Sequence, residues 1–412
     1  MMGEKMEFSH LFEPIRIGKV DIRNRIAMAP MVTQYADHGN VSEQQLAYYG
    51  ARARGGVGLI VVEHVLASKW AEDTCPSISL LRLYEPGHMA GFAELVDTIH
   101  AFGAKAFIQL NAGVGVQGSS SRTGVQPVGP SVVSYRTPPE MVPRNCRQVL
   151  EAFLAGEAPR EMSIEEIERE QESFARAAMM ARAVGFDGLE IHAAHGFLLH
   201  EFLSPRFNLR TDRYGGTLEN RMRFLLELVR KTKAAVGDGM AVGVRASADE
   251  HVSGGTTYED MKVVVKRLEQ EGIDYFHVGD GCFDSLKYII PDDADTMLEE
   301  GAGFKKLLNL PVLTPTVHDP RLAEKAVREG MTDMISLGRQ LIADPEWTNK
   351  VRSGKVSAIT RCSRCNIGCY ARIFGGLRIK CVRNPESGLE RYNPAYTQLA
   401  AMKDAVACGT GR

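Results

Sequence analysis

The chain of 412 residues is 44% hydrophobic and 24% charged, an ordinary globular composition with length for a large core or for two to three domains. Its formal charge of -2, with Lys and Arg scattered rather than gathered, offers no stripe for nucleic acid and no basic amphipathic segment for a membrane surface. No apolar run approaches the roughly 18 residues that span a bilayer, and the start "MMGEKMEFSHLFEP" has no apolar signal core, so a cytoplasmic protein working on small molecules is expected.

Eight short β-type runs follow one another along the chain: "RIAMAPM" (25–31), "GLIVVE" (58–63), "KAFIQL" (105–110), "GLEIHA" (188–193), "AVGVRAS" (241–247), "YFHVG" (275–279), "PVLTP" (311–315) and "DMISLG" (333–338). Their near-continuous apolar character predicts parallel strands buried on both faces. Helical patterns lie between them, such as 164–184, which Ser163 and Glu166 open with the spacing of a capping box. Eight strand–helix units predict an α/β fold, a (β/α)8 TIM barrel spanning 1–355, followed by a small cysteine-rich segment at 356–395 and a tail at 396–412. The Gly-, Ser- and Pro-rich stretch 111–160 predicts a loop over one rim.

On this frame the residues of unusual chemistry gather at the carboxyl ends of the strands, where barrel active sites are built. Pro30 and Met31 end the first strand with Val32 next, Glu63 ends the second, Gln109 the third, His192 the fourth and Arg245 the fifth. Thr314, Pro315 and Thr316 in "LTPTVHDP" end the seventh, and Gly338 and Arg339 in "ISLGRQL" end the eighth, where backbone N–H groups often hold a phosphate. Gln109 has an amide for a pyrimidine edge and Arg245 a cation for negative charge on a reduced ring, so the set suits a flavin. His192 and His195 provide two donors for one carbonyl oxygen, polarising a conjugated alkene for hydride attack at its β-carbon. His200, further into the next helix, reads as structural.

Of eight cysteines, four fall within "RCSRCNIGCYARIFGGLRIKC" as C-x2-C-x3-C-x11-C: Cys362, Cys365, Cys369 and Cys381. Four thiolates at this spacing suit a [4Fe–4S] cluster or a structural zinc.

The stretch "EIHAAHGFLLHEFLSPRFNLRTDRYGGTLENRMRF", with "NRIAMAPM", "FIQL" and "GVRAS", resembles the old yellow enzyme family of FMN-dependent ene reductases over residues 8 to 350. The resemblance implies FMN, with NAD(P)H as ultimate donor, and a small unsaturated carbonyl substrate held over the flavin by His192 and His195. It also marks a departure, because Phe197 stands where the family usually has a proton-donating tyrosine. Tyr288, Cys282 or a water are the candidate replacements, Tyr288 through a loop overhanging the site; Phe197 itself would then serve as an apolar wall of the substrate site. The cysteine spacing, with "IFGG" inside it and "RNP" after it, resembles the iron–sulfur branch typified by 2,4-dienoyl-CoA reductase and trimethylamine dehydrogenase, which implies the [4Fe–4S] cluster. In that branch Arg206 would match a substrate-binding arginine, and Phe283 stands where the dienoyl-CoA enzymes have a catalytic histidine.

The same branch continues into an FAD- and NAD(P)-binding half. The end "KDAVACGTGR", with Gly409 and Gly411, resembles the start of that half, so the expected electron source is a separate donor protein or a missing domain. Two other readings accompany the ene reductase: a desaturating dehydrogenase of the same family, and a non-catalytic electron-transfer subunit. An amine-oxidising version fits less well, since the family's amine enzymes have tyrosine at the position of His192.

Overall fold

The structure, a computed structural model, describes residues 7–77, 79–147, 154–293 and 296–393. Eight parallel strands form a closed barrel: β1 (Ile26–Met28), β2 (Leu59–Leu66), β3 (Lys105–Asn111), β4 (Gly188–Ala193), β5 (Ala241–Ser247), β6 (Tyr275–Gly279), β7 (Val312–Pro315) and β8 (Met334–Leu337). Each pairs with its sequence neighbours, and β8 pairs with β1 to complete the ring. The (β/α)8 expectation is thus met strand for strand. The main difference lies in β2, which runs three residues past the expected end and shifts register between Val62 and Val65, the signature of a bulge.

Eight helices clothe the barrel: α1 (Glu43–Arg54), α2 (Met89–Ala101), α3 (Ile164–Ala183), α4 (Leu218–Val236), α5 (Tyr258–Gln270), α6 (Leu298–Leu307), α7 (Pro320–Arg328) and the short α8 (Arg339–Ala343). Their starts are written locally. Ser163 and Glu166 form the expected capping box on α3, Ser42 with Gln45 and Thr257 with Asp260 do the same for α1 and α5, and Asp319 caps α7 ahead of Pro320. Their apolar faces bury against the outer faces of the strands in one large core.

A second, smaller core fills the barrel's lower interior. The hairpin Ile15–Ile17/Val20–Ile22 inserts Ile17 and Ile22 there, beside Ala27, Leu59, Val61, Phe107 and Tyr275, and closes the amino-terminal mouth. Tyr275 lies so close over β5 that a Cβ on Gly243 would meet its ring at 2.1 Å, so only glycine fits. With that end plugged by side chains, ligands approach from the carboxyl rim.

The cysteine-rich segment folds back over this rim. Tyr35 donates to the Ile379 carbonyl at 2.8 Å, the Ile379 amide donates to the Thr33 carbonyl at 3.0 Å, and Gln44 donates to the Gly388 carbonyl at 2.6 Å. Arg52 of α1 and Glu390 form a fully buried ion pair at 2.6 Å. The tail 396–412, with Gly409 and Gly411, lies outside the described residues. Among the described residues no helix is long and apolar enough to cross a membrane.

Candidate active site

A cavity of about 250 Å³ opens at the carboxyl rim, lined from several strands at once. Pro30, Met31 and Val32 come from the turn after β1, Gln109 from β3, His192 and His195 from β4 and the turn that follows it, and Arg245 from β5. Pro315 and Thr316 close it at β7, and Gly338 and Arg339 at β8. Phe197 is also in the wall. Of the expected cofactor and substrate residues, Glu63, Tyr288 and Arg206 are not in this lining.

Each of those three has a partner elsewhere. The Glu63 carboxylate turns back to receive the Thr33 amide, the Thr33 hydroxyl at 2.7 Å and the Gln45 amide at 2.9 Å. It supports the loop carrying Pro30 to Val32, one layer behind the cavity, and burial pushes its pKa up to about 7 against those donors. Tyr288 stacks on His251, with ring centroids 3.7 Å apart and planes 11° apart. Arg206 pairs with Asp284. Cys282 is buried, its thiol on the Glu250 carbonyl at 3.8 Å.

The histidine pair is held by an unusual turn. His195 has φ of 64° and Gly196 of 73°, a left-handed step that a non-glycine residue makes at a cost. The turn is secured by the His195 amide on the Ser247 hydroxyl at 3.0 Å, by the Gly196 amide on His200 Nδ1 at 3.1 Å, and by Gln117, which donates to the Gly196 carbonyl at 2.9 Å. His200 completes its own bonding on Glu250 at 2.7 Å and stays behind the turn, as a structural group. The His192 and His195 rings stand 5.2 Å apart at 73°. Burial, helped by their mutual proximity and by Arg245, holds both pKa values well below the ordinary range, so each ring is a neutral imidazole with one N–H to give.

Beneath the floor, Gln109 donates to Glu190 at 2.8 Å, while His277 and the Tyr275 hydroxyl take the other carboxylate oxygen at 2.7 and 3.2 Å. Burial raises the Glu190 pKa, but His277, Arg245 and Gln109 outweigh it and keep the carboxylate ionised. Its charge is the counterweight for Arg245. Arg245 Nε, Thr316 Oγ1, His192 Nδ1 and His195 Nε2 are all buried without a partner among the described residues. Buried polar atoms are rarely left so, and four converging on one cavity is the property of a site shaped for a polar ligand.

Several contributors escaped the sequence reading. His64 enters through the bulge in β2, 4.7 Å from the Phe197 ring and 5.6 Å from the His192 ring, with Asn111 at 3.1 Å. Gln117 comes from the long insertion and His318 from the loop after β7. Tyr370, Ile373, Phe374 and Ile379 come from the cysteine-rich segment, whose short helix Tyr370–Phe374 roofs the cavity. A histidine next to a strand end was a visible signal for His64; nothing local signals the roof.

Cys362, Cys365, Cys369 and Cys381 line a common pocket of about 20 Å³ with Arg339, and Cys369 lines the large cavity as well. The amides of Arg364 and Arg383 point at Cys362 Sγ and Cys381 Sγ, each at 3.4 Å. All four thiols are free, and among the described residues no group of three or more His, Cys, Asp or Glu is arranged to hold a single metal ion.

Comparison with known proteins gives consistent results. A family model described as the NADH:flavin oxidoreductase / NADH oxidase family matches residues 10–357. NADH oxidase of Thermoanaerobacter brockii is 41% identical over 98% of this chain and 60% of its own length. Cinnamate reductase of Clostridium sporogenes is 33% identical over 94% of this chain and 59% of its own. Among solved structures, the 2-naphthoyl-CoA reductase complex with 2-naphthoyl-CoA superposes with a TM-score of 0.86 at 30% identity, over 95% of this chain and 59% of that one. The chain therefore spans about 60% of the length of these relatives.

Proposed function

The chain belongs to the NADH:flavin oxidoreductase / NADH oxidase family, and from that premise we propose that it is an FMN-dependent ene reductase module for α,β-unsaturated carbonyl compounds. The observation that carries this reading is the pair of buried, neutral histidines sharing one cavity with Arg245, Gln109 and the unpartnered Thr316 hydroxyl. That donor set fits FMN: Gln109 and Arg245 for the ring, Thr316, Gly338 and Arg339 for the phosphate end. When bound and reduced, FMN would supply the hydride for the substrate β-carbon.

The chain's own residues set up that transfer. His192 and His195 direct N–H groups at the carbonyl oxygen, stabilising negative charge that builds there. Their low pKa values keep them as neutral donors at pH 7, so they polarise without protonating. Phe197 gives no proton, Tyr288 is turned away on His251 and the Cys282 thiol is on the Glu250 carbonyl, which favours solvent entering along the cavity as the proton source. Cinnamate reductase among the relatives acts, by its name, on an unsaturated acid, in keeping with this chemistry.

For the cysteine segment we propose a [4Fe–4S] cluster that passes electrons to the flavin. The C-x2-C-x3-C-x11-C spacing and the single small pocket that all four thiols line support this reading. Cys369 and Arg339 line both pockets, which supports a cluster lying beside the flavin. Electrons would originate from NAD(P)H through a further domain or a donor protein.

The test is anaerobic purification with flavin, iron and sulfide analysis, followed by reoxidation of the reduced protein with a panel of enones, enoates and enoyl thioesters. Bound FMN and alkene-dependent reoxidation support the reading. Reduced FMN that no member of the panel reoxidises overturns it.

A further inference from the structure

A second cavity of about 240 Å³ adjoins the first and shares with it Val32, His64, Gln117, Phe197, Phe283 and Phe374. It shares none of Gln109, Arg245, Gly338 or Arg339, so it extends away from the end assigned to the phosphate. A ligand anchored on His192 and His195 has this space as its continuation, with Phe197 at the neck.

The lining of the second cavity has a definite chemistry. Leu80, Val114 and Cys75 form one wall, a buried apolar cluster against which Phe197 and Val32 pack. The other wall is aromatic: Tyr135 and Phe283 meet edge to face at 5.1 Å and 71°, and Phe283 meets Phe374 at 6.5 Å and 83°. No Asp or Glu is among its described lining residues, so a cationic tail would find no counter-ion. Of its polar side chains, Ser77 is engaged with Gln34 at 3.0 Å and Gln117 with the His195 turn, and the exposed Arg122 lies near enough to Tyr135 to act on its hydroxyl. A planar apolar group fills the space between the two walls with edge and face contacts.

We propose that this cavity is a tail subsite, and that the substrates are α,β-unsaturated carbonyl compounds carrying an aryl or fused-ring substituent. The inference rests on the ene reductase reading, and it adds a preference that the histidine pair alone does not create.

The FMN-loaded protein would be titrated with phenol, 3-phenylphenol and 4-phenylphenol, following the flavin spectrum and, independently, calorimetric heat. All three place an oxygen on the histidines, and they differ only in what must enter the second cavity. At least one phenylphenol should bind ten times more tightly than phenol or better. Leu80→Trp, which fills the cavity from one wall, should collapse the ratio of phenylphenol to phenol affinity toward one, and Val114→Phe should do so from another position if Leu80→Trp does not fold. Phenylphenols no tighter than phenol, or a ratio unchanged in a folded filling variant, would overturn the subsite. Failure of every phenol to bind, or binding indifferent to His192→Ala, would instead overturn the ene reductase reading.

Discussion

The ring of Phe197 stands 4.8 Å from that of His192, tilted by 52°, and so covers the flank of the histidine with a surface that has no proton to give. A hydroxyl added at its para position would bring an acid to the place where the cavity now has none. Phe197→Tyr is expected to speed reoxidation of reduced flavin by small enones by about 10²-fold or more, the usual gain from a well-placed general acid. Tyr288→Phe should leave the rate of the parent as it is, because that ring is committed to His251. Stopped-flow oxidative half-reactions measure both; a Phe197→Tyr protein slower with every substrate would mean that the position acts purely as a wall.

The histidine pair makes a binding prediction that does not depend on turnover. Phenolate ligands copy the charge that grows on a carbonyl oxygen, and each hydrogen bond to a charged acceptor contributes roughly 1.5–3 kcal/mol. His192→Ala and His195→Ala should each weaken phenolate binding by at least tenfold. Titrations monitored through the flavin spectrum decide it, and unchanged affinity in both variants would reduce the pair to a structural role.

The two pockets joined by Cys369 separate in another experiment. Cys365→Ser should lose iron and sulfide while FMN remains bound, since Cys365 lines only the smaller pocket. Cys369→Ser should lose the cluster and also shift the flavin spectrum, because Cys369 borders both. Metal and flavin analysis of anaerobically prepared protein checks this. Stoichiometric zinc without sulfide would replace the cluster by a structural ion.

Acid should weaken the fold through His64. Burial lowers its pKa to about 4 from an ordinary 6.5, so between those values the unfolded chain binds a proton that the folded one refuses. The stability tied to neutral His64 is complete above pH 6.5 and is lost as the pH falls toward 4, amounting to about 3 kcal/mol in all. His64→Gln should flatten the decline by about 2 kcal/mol between pH 7 and 5 in urea titrations. Buried carboxyls such as Glu63 titrate in both proteins and drop out of the difference.

The buried pair of Arg52 and Glu390 ties the cysteine-rich segment to α1. Removing one partner strands the other charge away from water. Glu390→Gln is expected to cost about 3–5 kcal/mol, read from chemical denaturation.

What the sequence discloses and what it hides divide along physical lines. Gln109, His192 and Arg245 were readable because each sits at the end of a run whose apolar pattern fixes a strand, and the barrel then places all such ends on one rim. His64 was hidden by the β2 bulge: an extra residue resets which side chains face inward, so the pattern points to Glu63 while His64 reaches the cavity. Tyr288 was expected above the site because its loop follows β6, yet the competing attraction of the His251 ring decides its orientation. Tyr370 and Phe374 were beyond reach, since their place over the rim is set by bonds between Ile379, Gly388 and Glu390 and residues more than 300 positions earlier. Those contacts have no local signature.

The roof formed by Tyr370, Ile373, Phe374 and Ile379 has one more consequence. Part of the wall of the large cavity belongs to a segment held in place by a few bonds to α1 and to the loop after β1, so closing the cavity and folding the segment are one equilibrium seen from two sides. Any molecule that gains contacts from the roof must, by the same factor, make the roof harder to lift. Flavin and cluster would then reinforce each other's retention without touching, and a protein stripped of one should surrender the other more readily than either affinity alone would suggest.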